Sequence, residues 1–368
     1  MSYLETAKRL PRKLLNQFSQ EVQTLSDGIP FLDVRAPREF AKGQIPNSQN
    51  LPILNDIERD SVGKMFKQNG QQRAIDLGHQ LVTGDLKEQR IDSWRSFLQH
   101  QPSAHLICWR GGLRSKIAQD WLEEAGINVP RINGGFKSLR QCLSMITDSV
   151  HEQKKSIWLI GGQTGSKKTV VIRDLHNSID LEQLAEHRGS AFGGRIERQP
   201  TPVTFENHLA LEILKHDQEC LVLEDESRTI GRLAIPESLF NQMQRAPIAL
   251  VEVSLSERVE HIHEEYVAQP ISSGVPRNQL ASHYLGALNR IKKRLGGKRH
   301  ALLEKEISKA FEGSQSHHSW IEQLLTQYYD PMYQYQLAKK EKRIELSLIH
   351  ISEPTRLRRI SYAVFCLK

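Results

Sequence analysis

A chain of 368 residues with 38% hydrophobic content is long enough for two or three domains and a sizeable core. It has no apolar run near the ~18 residues that a membrane helix needs, and its first residues, MSYLETAKRLPRKLL, lack an apolar signal core. This argues against a helical membrane protein and for a soluble, cytoplasmic one with no membrane partner. Fifty Lys and Arg against 43 Asp and Glu give a formal charge of +7, which suits a polyanionic partner. Cys108, Cys142, Cys220 and Cys366 stand apart without CxxC or His spacing, so neither a disulfide framework nor a metal site is expected.

In chain order, the predicted elements begin with IPFLDV and AHLICW, short β-rich runs that alternate with helical stretches. In LRSKIAQDWLEEAGI the apolar Leu113, Ile117, Trp121 and Leu122 recur every three to four residues, the mark of an amphipathic helix. Between the second strand and this helix lies ICWRGGLRS. A loop that leaves a strand and enters a helix sets backbone N–H groups and the positive helix end beside Cys108, which favours a thiolate or a bound anion. Arg110 and Arg114 add fixed charge, and Gly111 and Gly112 let the loop curl. Cys108 is therefore the candidate nucleophile, with a buried structural cysteine as the alternative. The five residues between Cys108 and Arg114 also match the Cys-x5-Arg spacing of cysteine-dependent phosphatases, although Ile107 stands where those usually carry a histidine.

TDSVHEQKKS at 147–156 reads as a linker between a first domain at 14–146 and a second at 157–345. SIWLI is then a predicted buried strand running into GQTGSKKT, close to the phosphate-cradling pattern G-x-x-x-x-G-K-[ST]. Gly162, Thr164, Gly165, Ser166, Lys168 and Thr169 are the candidate diphosphate ligands. Lys167 holds the place of the last glycine, so it is expected either to crowd the phosphate or to swing outward, in a working but weakened site. LVLEDESR is the next strand, ending in Glu224, Asp225 and Glu226, which read as a base or metal-orienting group or else as a solvated strand end. IALVEVSL is a further buried strand, and from about 257 the chain is predicted helical through EKEISKAF and QYQLAKKEKRIE. In RIKKRLGGKRH at 290–300, seven of eleven residues are basic. Arg290, Lys292, Lys293, Arg294, Lys298 and Arg299 are candidate RNA contacts, and the tyrosines of YYDPMYQYQLAKK suit base stacking. A solvated helix face and core tyrosines are the simpler readings.

The ordered set FLDVRAPREF, ICWRGGLRS and RINGGFKSLR resembles the rhodanese domain, whose loop cysteine carries sulfur or selenium. That resemblance implies an α/β fold, with Cys108 in the carrier role and Asp33, Arg35 and Glu39 as scaffold. With KQNGQQRAIDLGHQLVTG at 67–84, HRGSAFG, LEDESR, EEY and YYDPMYQYQL, residues from about 14 to 344 resemble the tRNA 2-selenouridine synthase family. The resemblance implies a rhodanese-like α/β domain followed by a P-loop NTPase-like α/β domain with a helical C-terminal part. It further implies conversion of wobble 2-thiouridine in tRNA to 2-selenouridine through an S-geranylated intermediate, with geranyl diphosphate and selenophosphate as co-substrates. No tightly bound cofactor is expected, and a Mg²⁺ requirement stays open. The competing reading is a Cys-x5-Arg phosphatase fused to a nucleotide-binding P-loop module. From about 346 the sequence, including SEPTRLRRISYAVFCLK, departs from the family's pattern and is expected to be non-native and without function, Cys366 included.

Overall fold

The computed structural model describes residues 3–349 apart from 154 and 197. The chain forms two compact units that divide at Lys154/Lys155, with the segment Thr201–Asp217 belonging to the first.

The first unit is built on β1 (Phe31–Asp33), β2 (Ser48–Asn50) and β3 (His105–Ile107), a parallel sheet in the order β2-β1-β3. Parallel neighbours need crossover connections, and helices supply them. The helices of this unit are, in chain order, α1 (Tyr3–Arg9), α2 (Arg12–Ser26), α3 (Pro37–Ala41), α4 (Asp56–Leu81), α5 (Asp85–His100), α6 (Leu113–Glu124) and α7 (Gly135–Asp148), of which α3 joins β1 to β2 and α4 with α5 joins β2 to β3. Leu32 and Leu106 at the sheet centre are fully buried, and Trp94 and Trp121 stack beside them with ring centroids 6.1 Å apart. Asp33 and Arg35 form a buried ion pair at 2.7 Å, and the Arg35 guanidinium lies 3.8 Å from the Phe136 ring centroid. Removing one partner of such a pair leaves an uncompensated charge, at a cost of about 3–5 kcal/mol. Both residues are thus scaffold.

Helix α4 starts on a reciprocal cap, with Asn55 accepting from the Glu58 N–H at 2.9 Å and Glu58 accepting from the Asn55 N–H at 2.7 Å. It breaks at Gly70, where φ is 84°, into two arms. Of its 26 residues only Glu58 and Ala74 are buried. The stretch read as a linker supplies the end of α7 and one 3₁₀ turn, Val150–Gln153.

The second unit carries β4 (Ser156–Gly162), β5 (Cys220–Glu224), β8 (Ile248–Glu252) and β9 (Ile344–Ile349), all parallel, in the order β5-β4-β8-β9. An antiparallel ribbon joins β6 (Thr229–Ile230) to β7 (Leu233–Ala234). Six consecutive buried residues in β4 explain its unbroken apolar run, since both faces are covered. After β4 come α8 (Lys168–Asp174) and α9 (Leu181–Leu184), and then α10 (Pro202–Lys215), which packs with α7 and α2 in the first unit. The remainder is α11 (Glu237–Met243), α12 (Leu255–His263), α13 (Gln269–Ser272), α14 (Arg277–Leu295), α15 (Gly297–Phe311), α16 (His317–Leu324) and α17 (Asp330–Lys340). Helices α12 to α16 close around Tyr284, Leu288, Ile307 and Trp320.

The helical reading of QYQLAKKEKRIE fails at its end: α17 stops at Lys340, and Ile344 opens strand β9 beside β8. The pattern I-E-L-S-L alternates with period 2, and Leu346 packs against the sheet core, so strand pairing wins over helix propensity. Residues 346–349, within the stretch expected to be non-native, thus lie in the sheet; 350–368 lie outside the described residues. No helix among the described residues is long and apolar enough to cross a membrane.

Candidate functional site

Cys108 follows β3 directly, and the loop 108–112 delivers it to the start of α6. Gly111 has φ 63°, and a Cβ there would meet the Ile132 carbonyl oxygen at 2.6 Å and the Gly134 nitrogen at 2.8 Å. Gly135, at φ 56°, closes against the same loop from the other side, where a Cβ would strike the Cys108 carbonyl. The late G-G turn is therefore the wall that shapes the cysteine loop, and the Phe136 N–H donates to the Cys108 carbonyl at 2.8 Å. The thiol is buried and donates to Ser115 Oγ at 3.2 Å, which in turn donates to the Gly112 carbonyl at 3.0 Å. Ser115 was not singled out from the sequence, where it is one hydroxyl at a helix start.

Arg114 does not stand free to clamp a phosphate, because both its terminal nitrogens bond the Glu39 carboxylate, which also pairs with Arg59 at 3.4 Å. Burial pushes the Glu39 pKa up, but the hydrogen bond and charge of Arg114 outweigh this and hold it below the usual carboxylate value. This engagement weakens the phosphatase reading. Cys142 is fully buried with its thiol pKa raised by burial, and Cys220 is raised likewise, so neither resembles a reactive thiol.

In the second unit the loop after β4 forms the expected cradle. Gly162 is required because a Cβ would meet the Val251 carbonyl at 2.8 Å, and Gly165 because one would meet the Arg258 carbonyl at 2.9 Å. Lys168 Nζ donates to the Gly162 carbonyl at 2.9 Å, the His261 ring Nδ1 meets the Gly165 carbonyl at 3.1 Å, and the buried Ser166 Oγ has no hydrogen-bond partner among the described residues. Lys167 has φ 61°, the left-handed conformation a glycine would take freely, and its side chain is exposed. It also lines the cavity that the loop borders.

The three acids after β5 are not a solvated strand end. Glu224 is fully buried and accepts from the Leu181 N–H at 2.9 Å; burial, with Asp180 and Glu182 nearby, drives its pKa well above the usual range. Asp225 pairs with Lys340 at 2.7 Å. Glu226 meets Glu182, and burial followed by that neighbour's charge pushes its pKa up to about 8. Glu182 accepts from Thr169 Oγ1 at 3.1 Å, and Gly189 closes over both carboxylates, since a Cβ there would meet Glu182 Oε1 at 2.6 Å and Glu226 Oε1 at 2.7 Å. Glu182 was missed because an acid two residues after an Asp cap looks like ordinary helix-start chemistry.

Loop and carboxylates border a cavity of about 880 Å³ whose lining also includes Tyr266, Tyr328, Tyr329, Met332, Tyr333 and Leu337. Two single π-helical turns, Glu264–Ala268 and Leu325–Tyr329, carry Tyr266, Tyr328 and Tyr329 of this lining. Tyr328 and Tyr329 are buried, as the core reading of these tyrosines held, whereas Tyr335 is 66% exposed. Arg290, Lys292, Lys293, Arg294, Lys298 and Arg299 are all exposed around the α14–α15 turn, and Arg294 also borders the cavity. Glu260, His263 and His318 bring three potential metal-ligand atoms within 4.8 Å of one another, a grouping the sequence hides because His318 lies on α16; a 2.8 Å His318–Glu260 hydrogen bond already accounts for part of it.

Residues 14–142 match the rhodanese-like domain family and residues 155–350 the family described as tRNA 2-selenouridine synthase AAA domain. A protein of Marinobacter nauticus named tRNA 2-selenouridine synthase is 44% identical over 337 residues, 86% of this chain and 90% of that protein. Same-named proteins of Shewanella piezotolerans, at 45% over 88% of this chain and 93% of theirs, and Pseudomonas syringae, at 44% over 87% and 91%, are alike. A rhodanese-like unit with a cysteine cradle, a P-loop unit with a carboxylate pair, and relatives matched over nearly their whole length agree: the chain belongs to the tRNA 2-selenouridine synthase family of enzymes.

Proposed function

We propose that this enzyme converts wobble 2-thiouridine of tRNA to 2-selenouridine in two steps, using geranyl diphosphate and then selenophosphate. In the first, the thiocarbonyl sulfur attacks C1 of geranyl diphosphate: an S–C bond forms, the C–O bond breaks, and diphosphate leaves with the electron pair. The observation that best supports this reading is the make-up of the larger cavity, whose lining combines a phosphate loop with tyrosines, methionine and leucine, as an isoprenoid diphosphate requires. Lys168 and the loop N–H groups stabilise the leaving diphosphate. Glu226, with its proton affinity raised, accepts the uridine N3 proton. Thr169, Glu182 and Glu226 offer the hard oxygen donors that Mg²⁺ takes, and such an ion would neutralise diphosphate charge.

In the second step the selenium of selenophosphate attacks C2, a C–Se bond forms and geranylthiolate leaves with the electron pair of the C–S bond; water then attacks phosphorus, the P–Se bond breaks with its electron pair left on selenium, and phosphate departs. Cys108 in its glycine-walled loop serves this step. The exposed basic turn of α14–α15 binds tRNA phosphates. Purified protein with 2-thiouridine tRNA is the test. Geranyl diphosphate alone should yield S-geranyl-2-thiouridine by nucleoside mass spectrometry, and added selenophosphate should convert it to 2-selenouridine. Hydrolysis of aryl phosphates with no change to the tRNA would select the phosphatase reading instead.

A further inference from the structure

The first unit holds a second cavity, of about 740 Å³, between the two arms of α4 and the start of α6. Val62, Phe66, Ala74 and Ile75 of α4 and Ile117 and Trp121 of α6 make its walls apolar. None of the buried side-chain polar atoms that lack a partner among the described residues belongs to its lining, so the walls call for no polar ligand. Phe66 is 55% exposed and Leu113 46% exposed, both on this cavity. An amphipathic helix should bury its apolar stripe, and α6 instead leaves Leu113, its first stripe position, open. Open apolar surface of this extent in a folded domain marks a binding site.

Two features select the occupant. The cavity reaches the cysteine loop, because Leu113 and Arg114 directly follow the Cys108–Gly112 turn and also line it. Its border carries the exposed Lys64 and Lys67, which suit nucleic-acid phosphates around an apolar pocket; Arg59 and Arg114 also line it but are engaged by Glu39, and the single lining carboxylate, Asp60, pairs with Arg38 at 3.3 Å. The ligand is therefore an apolar chain attached to RNA and reacting beside Cys108. We propose that this cavity receives the geranyl chain of the S-geranylated wobble uridine during selenium transfer, and so makes that step selective for the geranylated nucleoside. The inference rests on the geranyl intermediate described above. The gap in α4 at Gly70 acquires a purpose: it folds one helical segment into two walls.

The test uses the full chain with selenophosphate and anticodon stem-loop RNAs carrying S-geranyl- or S-methyl-2-thiouridine, and reads kcat/KM for each. Wild type should favour the geranyl substrate. Phe66→Ala and Ile75→Asp should lower the geranyl-to-methyl ratio by ~10-fold or more, the scale of discrimination an apolar pocket supplies. General damage to the fold lowers both rates and leaves the ratio alone, and Phe66 is exposed enough for its truncation to spare folding. Titration of S-geranyl-2-thiouridine nucleoside against tryptophan fluorescence gives a second readout, because Trp121 lines the cavity; the signal should weaken in both variants. Unchanged ratios and unchanged titrations, with wild type still preferring the geranyl substrate, overturn the cavity assignment alone. Wild type that selenates 2-thiouridine RNA directly while ignoring the geranylated RNA overturns the geranyl reading and this inference with it.

Discussion

Two loops in this protein share one backbone conformation and treat it differently. Gly111, before α6, has φ 63°, and Lys167, before α8, has φ 61°. Each follows a parallel strand and leads into a helix where anion chemistry is expected. At Gly111 the backbone of 132–134 fills the space a side chain would need, whereas at Lys167 the side chain stands in solvent. A left-handed residue costs about 1–2 kcal/mol when it is not glycine, which a folded protein tolerates; a wall of backbone atoms is another matter. A motif that asks for glycine thus expresses two separate demands, and only the second is absolute.

The widest break in the comparison is chemical. Cys108→Ser should abolish selenium incorporation while S-geranyl-2-thiouridine accumulates, since a hydroxyl is a far weaker nucleophile than the sulfur it replaces; nucleoside mass spectrometry of treated tRNA checks this, and full incorporation would remove Cys108 from the reaction. Next in size, Gly111→Ala should destabilise the first unit by about 3 kcal/mol, combining left-handed strain with overpacking. Urea denaturation followed by tryptophan fluorescence measures it. In the other loop, Lys168→Ala should weaken geranyl diphosphate binding by roughly 2 kcal/mol, the range of a charge-assisted hydrogen bond, as read by calorimetric titration; undiminished affinity would refute the phosphate site.

Glu226 provides a test of sign. Its folded-state pKa, about 8, lies above its unfolded value, so between the two the native state binds more protons and stability falls as pH rises from about 5 to 9. Glu226→Gln should flatten that slope in urea melts at pH 5, 7 and 9. The geranylation rate of wild type should rise with pH through about 8, as the base ionises. The smallest effect separates the two glycine demands. Lys167→Gly should be about 1 kcal/mol more stable than Lys167→Ala, because both lose the charge and only glycine relieves the backbone; equal melting temperatures would mean that position 167 carries no strain.

Both cradles were legible because they are local: a strand, a few glycines and a charged residue lie within ten positions. What escaped the sequence is assembled from distance. Glu182 meets Glu226 across 44 positions, and Glu39 takes Arg114 out of service across 75. Ile344 continued a charged helical pattern, and only its partner strand β8 decides that it is extended. The tyrosines of YYDPMYQYQL divided between core and surface according to a π-helical turn that no periodicity announces. Leu113 belongs to the apolar stripe read from the sequence and proves open, 46% exposed, on the cavity it shares with the α4 arms.

Strand β9 makes the second unit's sheet hostage to the completion of its chain. It pairs with β8 from about ninety residues further along, so during synthesis the run Ile248–Val251, buried once folded, waits as a bare edge while α12 to α17 are still being made. A chain halted before Ile344, or clipped there by a protease, would keep both cradles in sequence yet display that sticky ribbon to its neighbours. Loss of that six-residue strand would then surface as insolubility before it surfaced as lost catalysis.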